Sequence, residues 1–238
     1  MSEFDLLSAV QPGEGWFAVV GINSAGVKQV LVQTREEADA AIQSFVEKKR
    51  DVFFGVAKYK DGLSRKKDNV RALKAFWLDI DCGETKAVVN EKTGKAAGYI
   101  DQNTALEALM KFCGAVGLPR PIVVNSGRGV HVYWALTEEI TRSEWEPVAA
   151  KLSSICVERS FFVDPAIFEV ARILRVPGTF NHKDNPPTLV EVLVQSKPIE
   201  FAKFKSLLGV EEAVDTSAST DIKLPLKRVW NDHSLLRL

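Results

Sequence analysis

The chain's 238 residues, 46% of them hydrophobic, are enough for one large domain or for one domain with an appendage. Basic and acidic residues number 31 each, so any contact with nucleic acid must come from a local basic patch. The three cysteines, Cys82, Cys113 and Cys156, are far apart, which argues against a disulfide framework and against a cysteine zinc site.

Signals for export or membrane insertion are not apparent. The first residues lack a basic segment followed by an apolar one, and no apolar run reaches the roughly 20 residues that cross a bilayer. We therefore expect a soluble, cytoplasmic protein with no membrane partner.

A hairpin, a helix and a further strand are predicted over the first 60 residues. The predicted strands cover 16–22, 27–33 and 52–59, and the helix covers 35–49. Thr34 and Glu37 have the spacing of a capping box, which satisfies free N–H groups at the start of a helix. Segment 60–69 follows and contains four basic residues. A solvated turn is its ordinary explanation, and a contact with phosphate or template is the alternative.

The sequence Phe-Trp-Leu-Asp-Ile-Asp at 76–81 is the central feature of the chain. Alternate side chains of a strand share a face, so Asp79 and Asp81 point the same way as Trp77. Two neighbouring carboxylates repel each other unless a cation lies between them, and hard divalent ions prefer carboxylate oxygens. This spacing favours a site for Mg²⁺ or Mn²⁺, with an exposed strand end as the alternative.

Helices and strands continue to alternate after Asp81. Segment 83–103 is aperiodic and predicts a mobile surface loop. Thr104 with Glu107 and Ser143 with Glu146 are the predicted helix-capping pairs. The first of these helices ends at Gly117 and the second at Arg159. Strands are predicted over 121–125, 130–136, 161–164 and 188–194, and a last helix over 199–208.

The domain organisation predicted from this pattern is one domain over 1–209, a small and polar linker over 210–224, and a tail over 225–238 that would begin a further region. Hairpins are mixed with helices throughout. The fold class is therefore α+β with mainly antiparallel strand pairing.

His131 lies in the run Ser-Gly-Arg-Gly-Val-His at 126–131. Strand alternation places it on the face opposite Val130 and Val132, away from the apolar side. The small residues before it can turn backbone N–H groups toward an anion, and Arg128 adds a fixed positive charge, which suits a triphosphate. A plain hairpin turn would also use these glycines, and a lone histidine is often a structural hydrogen-bond partner.

Asp164 ends an apolar run just before Pro165. Its ordinary role is a turn residue or a helix cap. Beside Asp79 and Asp81 it would instead supply the third carboxylate of a two-metal site.

Three basic residues follow, Arg172, Arg175 and Lys183. If the segment is extended the two arginines lie on opposite sides, and if it is helical they share a face. They are candidates for contacts with nucleotide phosphates, with surface salt bridges as the ordinary explanation.

These motifs, taken together, resemble those of the archaeo-eukaryotic primase superfamily. They are the acidic pair, the 126–131 run, Asp164, and the Arg-x-x-Arg-x-Pro-Gly-Thr-x-Asn-x-Lys run at 172–183. The resemblance is in particular to the primase-polymerase domains of phages and plasmids, and it covers about 50–195. It implies a core like an RNA-recognition motif, an antiparallel sheet with flanking helices, here joined to an N-terminal αβ module.

The resemblance also implies a role for each motif. Asp79, Asp81, Asp164 and His131 would be the catalytic residues; the aspartates would bind two Mg²⁺ or Mn²⁺ ions and His131 the phosphates of the incoming nucleotide. The further contacts to phosphate or template that it implies are Ser126, Arg128, Arg172, Arg175 and Lys183. No zinc is expected, because the Cys/His module of some members is missing from the sequence.

The implied activity is that of a DNA primase-polymerase in phage or plasmid replication. Such an enzyme transfers nucleotides from (d)NTPs to a 3′-hydroxyl on a single-stranded DNA template, with a helicase in the same or a separate chain as a further partner. The alternative is a non-catalytic nucleic-acid-binding initiator domain of the same fold.

Overall fold

The computed structural model describes residues 5–92, 94 and 96–210. Its strands are β1 Phe17–Asn23, β2 Gly26–Val32, β3 Asp51–Gly55, β4 Lys58–Tyr59, β5 Val70–Asp81, β6 Ile122–Asn125, β7 Gly129–Ile140, β8 Ile173–Arg175, β9 Phe180–Asn181, β10 Thr188–Leu189 and β11 Glu191–Val194. Its α-helices are α1 Leu6–Val10, α2 Arg35–Glu47, α3 Glu84–Ala87, α4 Gln102–Val116, α5 Arg142–Glu158 and α6 Phe201–Leu207.

Two sheets form the frame of the described residues. The larger has five strands in the order β11-β6-β7-β5-β4, and the smaller has four in the order β2-β1-β3-β8. β9 and β10 form a separate two-stranded ribbon. All these strands pair antiparallel, so the predicted α+β class with antiparallel pairing is confirmed.

Aromatic side chains pack on both faces of the larger sheet. Phe76 of β5 stacks on Trp145 of α5 at 5.6 Å and on Phe204 of α6 at 4.6 Å. On the other face, Tyr133 of β7 stacks on Phe54 of the smaller sheet at 6.4 Å. Because β5 and β7 are buried on both faces, they give the polar side chains at their ends a rigid base.

The predicted N-terminal hairpin and the helix cap that follows it are both confirmed. β1 and β2 pair from Phe17 opposite Val32 to Asn23 opposite Gly26. The Thr34 side chain accepts a hydrogen bond from the Glu37 N–H, and the Glu37 carboxylate accepts one from the Thr34 N–H, so the capping box is complete.

Two other predicted caps are wrong, because the true cap lies two or three residues earlier. α4 begins after Asp101, whose carboxylate accepts from the Thr104 N–H at 2.7 Å. α5 begins after Thr141, which forms a capping box with Glu144. Thr141 and Glu144 have the same spacing as the predicted pair Ser143 and Glu146, and β7 already ends at Ile140, so the helix starts at once.

Three predicted strands differ from the structure. The run 52–59 is divided between β3 and β4, which belong to different sheets, and 188–194 is divided between β10 and β11. The segment 161–164 is not a strand, since it joins neither sheet; its Asp164 N–H donates instead to the Asp79 carbonyl at 2.9 Å. Apolar alternation marks extended chain and does not show where a buried segment crosses from one sheet to the next.

The segment after β5 is more regular than predicted. It contains α3, and Tyr99 forms a bridge with Cys82. The Tyr99 N–H donates to the Asp81 carbonyl at 3.0 Å, and the Gly83 N–H donates to the Tyr99 carbonyl at 2.9 Å. The expectation of a surface loop without regular structure is therefore wrong for this part of 83–103.

The C-terminal prediction is only partly covered. α6 confirms the last helix, and Ile199 just before it forms a bridge with Leu136 of β7. The predicted linker, apart from Val210, and the predicted tail lie outside the described residues. Within the residues that are described, none of the helices combines the length and the apolar character needed to cross a bilayer.

Candidate active site

β5 and β7 bring the predicted acids and the histidine to one face of the larger sheet. Asp79 is the register partner of His131, and Asp81 is the partner of Gly129. Oδ1 of Asp79 lies 3.8 Å from Nε2 of His131. Two motifs 52 residues apart in the sequence thus meet at adjacent positions of two paired strands.

Asp164 reaches the same place from the segment after α5. Its N–H donates to the Asp79 carbonyl at 2.9 Å, which fixes its backbone against β5. Its Oδ1 accepts from the Ala166 N–H at 2.9 Å, and its Oδ2 forms an ion pair with Arg172 at 2.6 Å. The ordinary role as a cap is therefore present, and the main chain of Asp164 lies against that of Asp79.

The electrostatics of the site are dominated by acidic charge around Asp79. Burial, reinforced by the charges of Asp81 and Asp164, raises the pKa of Asp79 to about 7. Arg172 and Arg175 oppose this shift and do not cancel it. A cation that binds beside Asp79 would therefore stabilise its ionised form.

Basic side chains hold the other two carboxylates. Lys86 Nζ lies 2.7 Å from Oδ2 of Asp81, and Arg172 holds Asp164. Within 5–92, 94 and 96–210, no three acidic, cysteine or histidine side chains are arranged to enclose a metal ion as they stand. The donors fit a hard divalent ion by their chemistry, since all three are carboxylates. Lys86 and Arg172 each engage Oδ2 of their partner, so those two oxygens become available to a metal ion only when the bases leave them.

His131 is neutral in this setting. It is 4% exposed, and burial together with the charges of Arg175 and Arg172 lowers its pKa to about 3. The Tyr133 hydroxyl lies 3.5 Å from its Nδ1, and burial raises the pKa of Tyr133 well above its usual value. A Tyr133 hydroxyl that donates to Nδ1 leaves the proton on Nε2, the ring nitrogen that faces Asp79.

A cavity of about 340 Å³ opens on this face. Every predicted site residue except Asp164 lines it. Its acidic side chains are Asp79, Asp81 and Glu169, and its basic side chains are Arg65, Arg128, Arg172, Arg175 and Lys183. The excess of basic side chains suits an anionic ligand that arrives with its own cations.

Arg175 is the most deeply placed base of the cavity. It lies in β8, so the extended alternative for this segment is confirmed. Its Nη2 donates to Asp51 at 3.1 Å, and its guanidinium lies 4.7 Å from the centre of the Phe53 ring. Its Nη1 is buried and has no hydrogen-bond partner. That nitrogen is a donor held ready for a ligand.

Asp51 is a supporting residue that sequence reasoning missed. Besides Arg175 it accepts a hydrogen bond from the His182 N–H at 2.7 Å, and its pKa is lowered by these donors against the opposing effect of burial. An acid at the start of a strand gives no local signal of this role, because Arg175 lies 124 residues away.

The turn at 126–129 is tied to the segment around β9. Asn181 donates to the Ser126 carbonyl at 2.8 Å, and Arg128 donates from Nε and Nη2 to Asp184 at 2.8 and 2.6 Å. Gly127 has φ +101°, and a Cβ there would lie 2.5 Å from the Asn181 amide nitrogen. Only glycine fits this conformation and this approach.

Two of the backbone N–H groups that were expected to face an anion in this turn are already hydrogen-bonded within the protein. The Ser126 N–H donates to the Gly129 carbonyl at 3.0 Å, and the Gly127 N–H donates to the Asn125 side chain at 2.8 Å. The alternative of a plain hairpin turn describes these two groups correctly. The side chains of Ser126 and Arg128 still line the cavity.

Solved structures of primase domains share this fold. A cyanophage S-2L primase-polymerase domain shares it with 15% identity and a TM-score of 0.57, over 82% of this chain and 89% of that one. The catalytic domain of primase RepB′, in complex with initiator DNA, shares it with 12% identity and a TM-score of 0.52, over 85% and 87%. A second structure of RepB′ matches over 85% of this chain and 58% of its own. No protein-family model matches the sequence, and neither does any curated protein.

Proposed function

We propose that this protein is a DNA primase-polymerase, a nucleotidyltransferase that extends a 3′-hydroxyl on a single-stranded DNA template. The observation that carries the proposal is the meeting of Asp79, Asp81 and Asp164 beside a neutral His131 at the edge of a basic cavity. The archaeo-eukaryotic primase fold supports it. The cyanophage origin of one structural neighbour supports a place in phage or plasmid replication.

The three aspartates would hold two Mg²⁺ or Mn²⁺ ions. When bound, such ions supply activation of the attacking hydroxyl and neutralisation of the triphosphate. The protein's part is to keep the carboxylates together. The β5 backbone fixes Asp79 and Asp81, and the hydrogen bond from the Asp164 N–H fixes the third acid against them.

The wall of the cavity would bind the triphosphate. Arg175 presents its unpaired Nη1, and its other contacts, to Asp51 and over Phe53, hold the guanidinium in place. His131 can donate from Nε2 without adding charge, because its low pKa keeps the ring neutral. Fixed donors of this kind stabilise phosphate charge without reorganising during the reaction.

The template would be bound mainly through its backbone, and base pairing would select the nucleotide. The RepB′ catalytic domain of the same fold was solved with initiator DNA, which supports a DNA-binding surface next to this cavity. Lys183 and Arg65 are the cavity bases from which such a surface would continue. A helicase in the same or a separate chain would supply the unwound template.

Incorporation of labelled nucleotides on single-stranded DNA tests the proposal, with and without a primer and in Mg²⁺ or Mn²⁺. We expect metal-dependent product from the parent protein and none from Asp79→Ala plus Asp81→Ala. Product without a primer would make the enzyme a primase. DNA binding with no incorporation under any of these conditions would contradict the proposal and favour the non-catalytic initiator domain, which the basic partners of Asp81 and Asp164 also fit.

A further inference from the structure

The segment after β5 folds back onto Asp81. Gly98 packs so closely that a Cβ there would lie 2.2 Å from the Asp81 carbonyl oxygen. The Tyr99 N–H donates to that same carbonyl at 3.0 Å. The chain therefore leaves the acidic pair, forms α3 and returns to the same residue, and its position relative to Asp81 is fixed at both ends.

Lys86 is presented from the middle of this segment. Its own carbonyl accepts the N–H groups of Ala97 and Gly98, each at 3.0 Å, so its backbone is tied to the segment that returns to Asp81. Its Nζ lies 2.7 Å from Oδ2 of Asp81. A lysine held by its main chain loses less conformational entropy on pairing than one on a free loop.

The ammonium of Lys86 lies in the field of all three predicted ligands. The hydrogen bond that Lys86 donates to Asp81 is the largest cause that raises the pKa of Lys86, and the charges of Asp164 and Asp79 add to it. Lys86 is thus the cation that the acidic pair holds in the nucleotide-free protein. It contacts a carboxylate oxygen that a divalent ion would need.

We propose that Lys86 is a resting counter-ion that competes with the divalent metal for Asp81. The inference rests on the metal site of the proposed function and adds a residue that sets its affinity. Because Lys86 must leave Oδ2 of Asp81 before a metal binds that oxygen, the site without nucleotide binds metal less tightly than it would without the lysine. A triphosphate brings both metal and phosphate oxygens, and the latter give Lys86 another partner, so metal and nucleotide bind cooperatively.

The expected effect follows from the exposure of the pair. The side chains of Lys86 and Asp81 are 44% and 36% exposed, so water screens their attraction. Pairs of this kind correspond to a factor of about two to five in an equilibrium constant. Removing the lysine should therefore raise metal affinity by about that factor.

The test is Mn²⁺ binding to the nucleotide-free protein, measured by the electron paramagnetic resonance signal of free Mn²⁺. We expect Lys86→Gln to bind Mn²⁺ about two- to five-fold more tightly than the parent, and Lys86→Arg to match the parent because it keeps the charge. Lys92→Gln makes the same charge change at an exposed lysine of the same segment and should also match the parent.

Three results would overturn the proposal in distinguishable ways. In the first, Lys86→Gln binds Mn²⁺ no more tightly than the parent, while Asp79→Ala plus Asp81→Ala loses the binding. That result refutes competition by Lys86 and leaves the metal site intact. Tighter binding by Lys92→Gln as well shows a general charge effect. Absence of Mn²⁺ binding in both parent and Lys86→Gln, also when a non-hydrolysable nucleoside triphosphate is present, refutes the metal site itself, and with it the proposed function.

Discussion

Replacing Asp79 with asparagine is expected to stabilise the fold and to abolish nucleotide transfer. The Asp79 side chain is 21% exposed and lies near the charges of Asp81 and Asp164. This partial burial, together with the two neighbouring charges, raises its pKa from 3.8 to about 7. One pKa unit corresponds to 1.36 kcal/mol, so ionised Asp79 destabilises the native state by about 4 kcal/mol. Asparagine has the same shape without the charge. The amide in this partly buried position also has a desolvation cost, so we expect a net gain of about 2 kcal/mol at pH 8, where Asp79 of the parent is ionised.

The effect depends on pH with a definite sign. The folded state binds the Asp79 proton more tightly than the unfolded state does. The stability that the parent gains from this proton is therefore complete below about pH 4 and is lost as the pH rises through 7. Asp79→Asn has no such loss. The difference in Tm between variant and parent should therefore be negative at pH 4, where only the cost of the amide remains, and should rise to its largest positive value at pH 8.

Thermal unfolding in EDTA at pH 4 to 8 measures this difference. A gain of about 2 kcal/mol corresponds to roughly 4–8 °C in Tm for a chain of this size. Asp164→Asn is the matched control; it weakens the ion pair with Arg172 and the cap on Ala166, and should lower Tm at pH 8. A Tm difference for Asp79→Asn that is negative at pH 8, or that does not grow with pH, would contradict this prediction.

Three further predictions concern the surroundings of the site. Asp51→Asn removes the charged partner of buried Arg175, so it should lower the free energy of unfolding by about 3 kcal/mol and raise KM for the nucleotide. Urea unfolding measures the first effect and steady-state kinetics the second. An unchanged KM would count against a role of Asp51 in holding Arg175. Gly127→Ala should lower the free energy of unfolding by about 1–3 kcal/mol in a thermal melt, because Gly127 has a positive φ and a Cβ there would meet Asn181. The control is Gly114→Ala, which lies in a helix with open space around it and should be neutral or stabilising. The imidazole NMR signal that disappears in His131→Ala should show no titration between pH 5 and 8 in the parent, and a midpoint in that range would contradict a neutral His131.

The face of the sheet that carries the site was predictable from local pattern. Alternation alone puts Asp79 and Asp81 together, and His131 opposite Val130 and Val132. The structure adds the register that makes Asp79 and His131 neighbours. Register depends on the pairing of two distant strands, which no local window contains.

The partners of the site residues were beyond local reasoning. Lys86 approaches Asp81 only because the segment after β5 returns to it, and Asp51 meets Arg175 only because β3 pairs with β8. The division of 52–59 between two sheets has the same origin, since both halves are buried and look alike in sequence. Long-range contacts decide these features.

The most direct test of the central claim is a crystal structure with Mn²⁺ and a non-hydrolysable nucleoside triphosphate. We expect anomalous Mn²⁺ density within coordination distance of Asp79, Asp81 and Asp164, with Lys86 turned away from Asp81. We also expect the phosphates to contact His131 and Nη1 of Arg175. Mn²⁺ density away from the three carboxylates, or a triphosphate bound outside this cavity, would contradict the claim.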